Sequence, residues 1–256
     1  MIIQPQKKFK ILLLGDTCID DYNYGYCERL SPEAPVPIFK ITETDSKLGM
    51  ANNVKDNLES LGCTVDVIFG NRNSVKKRFI DLRSQQHLLR IDQDQMSDEI
   101  VLPQVLDIYD ALVISDYEKG SCTYKLIMQA IEKFQGPIFL DTKKTDLEKF
   151  NGCIVKINDI EFSKAVTHCD NLIVTMGNRG AMYKNELFPV DKVNVIDVCG
   201  AGDTFLAALT FGFLKTKDMR SSIIFANKCA SIVVSKLGVH TIHMEEIKDL
   251  VNNLHN

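Results

Sequence analysis

Lys10-Ile11-Leu12-Leu13-Leu14-Gly15-Asp16 is a short apolar run that closes on a glycine and a carboxylate, the pattern of a buried strand meeting a loop. Similar runs recur at Val65–Phe69, Ala111–Ser115, Pro137–Leu140, Ile154–Ile157 and Leu172–Thr175. Helical periods lie between several of them. Ala51–Leu61 sets Val54, Leu58 and Leu61 on one face, and Tyr124–Phe134 does the same with Ile127, Ala130, Ile131 and Phe134. Strands that alternate with helices predict an α/β fold with a mostly parallel central sheet covered on both sides. The runs end in Gly15-Asp16, Ser115-Asp116, Asp141, Asn158 and Gly177. In open α/β sheets the ligand crevice lies outside the carboxyl ends of the strands, so these residues are expected to face one site.

Two stretches depart from the alternation. Tyr22–Ile41 carries Pro32, Pro35 and Pro37 before an alternating Val36–Ile41, and Arg83–Asp92 is a second extended piece. They read equally as a small projecting sheet, serving as lid or dimer surface, and as an ordinary surface meander. The last third is helical, with Ala201–Lys215 apolar almost all round and Arg220–Leu237 and Met244–Leu254 behind it. No repeat, low-complexity tract or linker interrupts the chain. One domain is expected over residues 1–256, with any lid at about 22–45 and 83–92.

Composition narrows the class. The 256 residues are 45% apolar and 25% charged, with a mean hydropathy of −0.06, which suits a globular protein with its own core. A net charge of −4 without a long basic stretch argues against a nucleic-acid partner. No membrane contact is expected either, because the most apolar window, Phe205–Leu214, is well short of the roughly 20 residues a span needs. Ile11–Leu14 is too short for a signal-peptide core. The eight cysteines form no CxxC pair, so reduced thiols in a cytoplasmic setting are expected rather than a zinc site.

The sharpest chemical signal is Val195-Ile196-Asp197-Val198-Cys199-Gly200-Ala201-Gly202-Asp203-Thr204. A short apolar strand is expected to lead into Gly-Ala-Gly at the start of a long helix. Backbone N–H groups and the helix dipole there make a receptor for an anion, most naturally a phosphate. Asp203, beside that receptor, suits a general base for an attacking hydroxyl; alone, it also reads as a helix N-terminal residue after a glycine turn. Asn158-Asp159-Ile160-Glu161 follows a strand and could position Mg²⁺ through its waters, or could be a plain helix cap. Thr175-Met176-Gly177-Asn178-Arg179-Gly180 admits either a nucleotide close to the backbone or a hairpin turn. Asp16 and Asp20 suit bidentate bonds to sugar hydroxyls, or water-facing loop positions. The lone histidines suggest no metal cluster. No Walker A loop, dinucleotide fingerprint or protein-kinase signature is present.

These segments together resemble the ribokinase-like, or PfkB-type, carbohydrate kinases, and among them the kinase domains of heptose-7-phosphate kinases. The resemblance runs in order through Gly15-Asp16…Asp20, Arg29-Leu30-Ser31-Pro32-Glu33-Ala34-Pro35-Val36-Pro37, Leu89-Arg90-Ile91-Asp92 and Ser115-Asp116-Tyr117-Glu118-Lys119-Gly120. It continues through Asp141–Asp146, Asn158…Glu161, Gly200–Thr204, Phe225-Ala226-Asn227 and Lys236-Leu237-Gly238.

The resemblance implies a ribokinase-like core with a β lid, often a dimer surface, and Mg²⁺-dependent transfer of the ATP γ-phosphate to a sugar or sugar-phosphate hydroxyl. In the heptose kinases that hydroxyl is the anomeric one. Carried over by residue, it makes Asp203 the base, and Gly200, Ala201 and Gly202 the anion hole. Asn158 and Glu161 become the Mg²⁺ and phosphate pair, and Thr175, Gly177, Gly180 and Asn227 flank the nucleotide. Asp16, Asp20, Gly49 and Asn53 become sugar ligands, Arg90 and Lys143 are candidates for phosphate charge, and a monovalent cation is a further candidate cofactor.

Departures from the family pattern keep a second reading open, a shortened homologue that binds nucleotide or sugar phosphate without turnover. Segments are missing after Gly70 and after Ala165, and the chain lacks the fused nucleotidyltransferase domain of the bifunctional enzymes. Met50 stands where the family has the second glycine of a sugar-binding pair, and Cys199 replaces a more usual threonine. A third reading keeps the reaction and changes the acceptor to another sugar or a nucleoside.

Overall fold

A computed structural model describes residues 8–236, 238–252 and 254. Leu237, in one of the resemblance motifs, lies outside the described residues.

The first run becomes strand β1, Lys10–Leu30, which continues far beyond Gly15. It enters the core and leaves into the projecting sheet without a break. Strand β2 (Pro37–Met50) folds back on it antiparallel. Helix α1 (Ala51–Ser60) follows, and then β3 (Thr64–Asp81) runs parallel to β1 along both core and projection. Strand β4 (His87–Gln93) closes that edge. The projecting sheet therefore begins within the core strands, earlier than residue 22.

The remaining core elements are β5 (Ala111–Asp116), α2 (Tyr124–Lys133), β6 (Ile138–Thr142), β7 (Cys153–Asn158), α3 (Asp159–Lys164) and β8 (Leu172–Thr175). Two short strands, β9 (Ala181–Tyr183) and β10 (Glu186–Phe188), end the sheet, and α4 (Ala201–Thr216), α5 (Met219–Val233) and α6 (Met244–Asn252) complete the described chain. The order is β10-β9-β8-β7-β6-β5-β1-β3-β4, with β2 also on β1. Pairs from β8 to β3 are parallel, as the alternation predicts, and the edge pairs are antiparallel.

Side-chain alternation explains why both faces are covered. Ile11 and Leu13 of β1, with Ala111 and Val113 of β5, join the core built by α1, α4, α5 and α6. Leu12, Leu14, Leu112 and Ile114 join the opposite core with Leu126, Ile127 and Ala130 of α2. Helix α4 is buried from Asp203 through Gly212, as its all-round apolar sequence predicts. On α1, Asp56 and Glu59 face solvent and Lys55 pairs with Glu59 at 3.0 Å.

One expected strand is absent. Val195–Val198 adopts no regular structure, and Val195, Ile196 and Val198 are exposed. An apolar run becomes a strand only beside another strand. Here the Ile196 and Asp197 N–H groups donate to Val234 O at the end of α5, and the segment walls a cleft instead. All eight cysteines are free thiols. No helix among the described residues is long and apolar enough to cross a membrane.

Candidate active site

The start of α4 is built as its glycines require. Gly200 caps the helix at φ 79°, in the left-handed region, and a Cβ there would lie 2.6 Å from Asn53 Nδ2. Ala201 N donates to Val198 O and Thr204 N to Gly200 O, leaving the Gly202 and Asp203 N–H groups without an acceptor among the described residues. A Cβ on Gly202 would stand 2.8 Å from Lys156 Nζ. Bare backbone donors, a helix N-terminus and an ammonium group thus converge on one point, which suits a phosphoryl group.

Asp203 is buried beside it. Its Oδ2 accepts from Asn53 Nδ2 at 2.9 Å and its Oδ1 from Tyr117 OH at 2.7 Å. Burial pushes its carboxyl above the usual range, while those two donors and the positive charges of Lys156 and Lys76 pull it back part of the way. A carboxyl so poised accepts a proton more readily than an ordinary aspartate. Asn53, expected at the sugar, contacts the base directly.

A cavity of about 140 Å³ opens over this point, lined by Asp203, Gly200, Gly202, Asn158, Glu161 and Lys143, together with Asp116, Tyr117, Asp141 and Lys156. The strand ends of β5, β6 and β7 therefore do share one crevice. Asn158 and Glu161 form a reciprocal capping box at 2.8 Å each way, and Glu161 Oε1 accepts from Lys143 Nζ at 2.8 Å. Burial works against the Glu161 carboxylate, but Lys143 and the Asn158 N–H outweigh it and hold its pKa below the ordinary value. The cap and the phosphate-facing position are one arrangement. No group of three His, Cys, Asp or Glu side chains among the described residues is placed to hold a metal ion directly; the oxygens of Asn158 and Glu161 at the crevice suit a divalent ion that keeps water and phosphate ligands.

A second cleft, about 460 Å³ and largely apolar, shares Gly202 with the first. Thr175, Gly177, Gly180 and Asn227 line it, joined by Val195, Val198 and Phe205. The four expected nucleotide residues are brought together. Asn227 Nδ2 is committed to Phe188 O at 2.8 Å, and Gly177–Arg179 forms a single 3₁₀ turn before β9.

Two of the expected sugar and phosphate residues are engaged by other parts of the chain. Asp16 is 1% exposed, and its carboxylate accepts from Tyr117 N (2.8 Å), Lys119 N (3.0 Å), Ser121 N (3.3 Å) and Ser121 Oγ (2.5 Å). Its oxygens are engaged by the 117–121 loop, which it holds in place. Arg90 is 57% exposed on β4, paired with Asp92 of its own strand, and lines neither cavity. Asp20 is buried and ion-paired with Arg78. Gly49 is where it is because a Cβ would run into Asp20 Oδ2. Met50 takes a left-handed φ of 57° at the start of α1, the backbone a glycine would adopt freely.

Sequence reading gave no chemical role to Lys156, Tyr117, Lys76 or Arg78, and placed Asp141 only among the strand ends facing the site. Asp141 and Lys156 lie opposite each other in the β6–β7 register and pair at 2.6 Å. Burial there lifts Asp141 to about 6 despite the ammonium group. A lysine inside the apolar run Cys153-Ile154-Val155-Lys156-Ile157 was the available signal.

Comparison with known proteins agrees with this geometry. Residues 147–246 match the pfkB family carbohydrate kinase model. The chain is 33% identical to the bifunctional protein HldE of a Nitratiruptor species, over 94% of this chain and 65% of that protein. It is 30% identical to HldE of Helicobacter acinonychis, over 96% of this chain and 67% of that one. It thus spans about two thirds of the length of these relatives. Ribokinase from Thermotoga maritima superposes with a TM-score of 0.72 at 18% identity, covering 96% of this chain and all of that one. Phosphofructokinase-2 from Escherichia coli, in complex with potassium, gives 0.71 at 15%, covering 97% and 99%. The ribokinase-like fold is thereby shown, and with it the chain belongs to the pfkB family of carbohydrate kinases, phosphotransferases that use an alcohol as acceptor.

Proposed function

We propose that this chain transfers the γ-phosphate of ATP to the anomeric hydroxyl, O1, of a heptose 7-phosphate. The observation that carries the reading is Asp203, buried at the mouth of an anion cradle that also meets the larger cleft. The HldE relatives point to the heptose, and the cleft lined by Thr175, Gly177, Gly180 and Asn227 suits the nucleotide. Asp203 takes the proton of the acceptor hydroxyl as its oxygen bonds to the γ-phosphorus. The bond from that phosphorus to the β,γ-bridging oxygen breaks, and ADP leaves with the electron pair.

Gly202 and Asp203 N–H and Lys156 face the charge on the transferring group, and Lys143 joins them from the crevice wall. Mg²⁺ on the nucleotide would neutralise phosphate charge, with Asn158 and Glu161 holding its water shell. On the potassium in the phosphofructokinase-2 neighbour we extend the reading to a monovalent-cation requirement, read from rates in potassium against tetramethylammonium. The free thiols and the nucleotide substrate suit a cytoplasmic enzyme. A second copy of the chain suits the projecting sheet, whose Leu30, Ile41, Leu48, Leu89 and Ile91 are exposed.

The test is ADP release from ATP against a panel of sugars and sugar phosphates. Turnover is expected with a heptose 7-phosphate, and Asp203→Asn is expected to lower it by about 10²–10⁴. ATP binding by calorimetry without ADP formation on any acceptor would favour the non-catalytic reading, which the missing segments and Met50 support.

A further inference from the structure

The projecting sheet carries a charged face beside Tyr117 of the crevice wall, and the proposed chemistry leaves it unused. In the parallel pairing of β1 and β3, Asp20 lies opposite Lys76 and Tyr22 opposite Arg78, so these four side chains share one face. That face looks toward the reacting centre. Lys76 Nζ lies 5.4 Å from the centroid of the Tyr117 ring, whose hydroxyl bonds Asp203. Arg78 is buried, ion-paired with Asp20 and stacked over Tyr22 at 5.1 Å.

Two demands on this face are unmet. The Tyr22 hydroxyl is buried without a hydrogen-bond partner among the described residues, although Tyr22 is only 4% exposed. Lys76 has no carboxylate within ion-pair distance among the described residues. A buried phenol without a partner is costly, and Lys76 acts on the Asp203 carboxylate only from beyond ion-pair distance. A group rich in acceptor oxygens and bearing negative charge answers both demands together; a neutral hydroxyl answers only the first.

We infer that Lys76, Arg78 and Tyr22 form the subsite for a phosphomonoester carried by the acceptor, at the end of the sugar remote from the hydroxyl that loses its proton to Asp203. Lys76 and the Tyr22 hydroxyl donate to the phosphate oxygens. Arg78 supplies the second positive charge while orienting Asp20 through their ion pair. Selection of a phosphorylated over a free sugar follows, because the parent sugar leaves Lys76 without an ion-pair partner. The inference deepens the proposed reaction and rests on it, and it moves the phosphate contact from Arg90 to the inward face of the same sheet.

The experiment compares initial rates with heptose 7-phosphate and with the unphosphorylated parent heptose, in the wild type, Lys76→Met, Lys76→Arg and Tyr22→Phe. In Lys76→Met the ratio of kcat/KM for phosphosugar over parent sugar is expected to fall by about 10- to 100-fold, the weight of a charge-assisted contact. Tyr22→Phe is expected to lower that ratio by about 5-fold, and Lys76→Arg to recover much of it. A ratio unchanged in folded Lys76→Met and Tyr22→Phe, with both sugars slowed alike, overturns the subsite and leaves the kinase reading standing. If the wild type turns over neither sugar, the heptose reading fails and the subsite is read by calorimetric titration with heptose 7-phosphate. At least tenfold weaker binding to Lys76→Met then supports it; equal binding, or none to the wild type, overturns it.

Discussion

Tyr117→Phe isolates how the base is tuned. Tyr117 OH donates to Asp203 Oδ1 at 2.7 Å, and Asn53 Nδ2 occupies the other oxygen at 2.9 Å. Burial raises the Asp203 pKa, and these donors oppose the rise by favouring the ionised form. A hydrogen bond to a charged group is worth about 1.5–3 kcal/mol. At about 1.36 kcal/mol per pH unit, losing it moves the Asp203 pKa upward by about 1–2 units. The base works ionised, so activity disappears as pH falls through that pKa, and a higher pKa brings the loss at higher pH. The assay is kcat/KM for the sugar between about pH 5 and pH 9, since that parameter reports groups of the free enzyme. The acid limb of Tyr117→Phe is expected about 1–2 units above the wild type, with the plateau at higher pH retained within a few fold. An acid limb that stays in place, or moves to lower pH, in a variant with wild-type circular dichroism refutes the coupling.

Two further outcomes follow from the same crevice. Gly200→Ala forces a side chain into a left-handed backbone at a cost of about 1–2 kcal/mol, and its Cβ pushes on Asn53 Nδ2. It is expected to lower Tm and to raise the acid limb as Asn53 leaves Asp203; a Tm loss with an unmoved pH profile would show that Asn53 does not tune the base. Asn158→Ala opens the capping box of α3, costing about 1 kcal/mol of stability in denaturant unfolding. If Asn158 also holds the nucleotide's phosphate and water shell, kcat/KM for ATP falls about tenfold or more, whereas a stability loss alone reduces it to a cap.

Much of the molecule could be read from residue order because its elements are amphipathic in the ordinary way. Leu172–Thr175 is a strand with the expected bounds, and Ala201–Thr216 is the buried helix its composition requires. The glycines before Asp203 also announced their backbone. What escaped reading depends on partners distant in sequence. Asp16 looks like a ligand residue until the 117–121 loop is seen to use its oxygens. Val195–Val198 looks like a strand until no strand is found beside it. Lys76 and Arg78 lie in a stretch whose residue order announces no element, and only the pairing of β3 with β1 gives them a place on the inner face.

That pairing has a mechanical consequence. Because β1 and β3 cross from the core into the projecting sheet side by side, no loop separates the two parts, and the shared ladder is interrupted only by the shift in register between Gly15 and Thr17. Such a sheet flexes as a leaf spring does, storing elastic energy along its length, whereas a hinged door swings freely. Whatever draws its tip inward also pulls on Gly15, which packs within a Cβ's reach of Ala51 and Ser115, and so tugs on the floor from which Asn53 and Tyr117 rise.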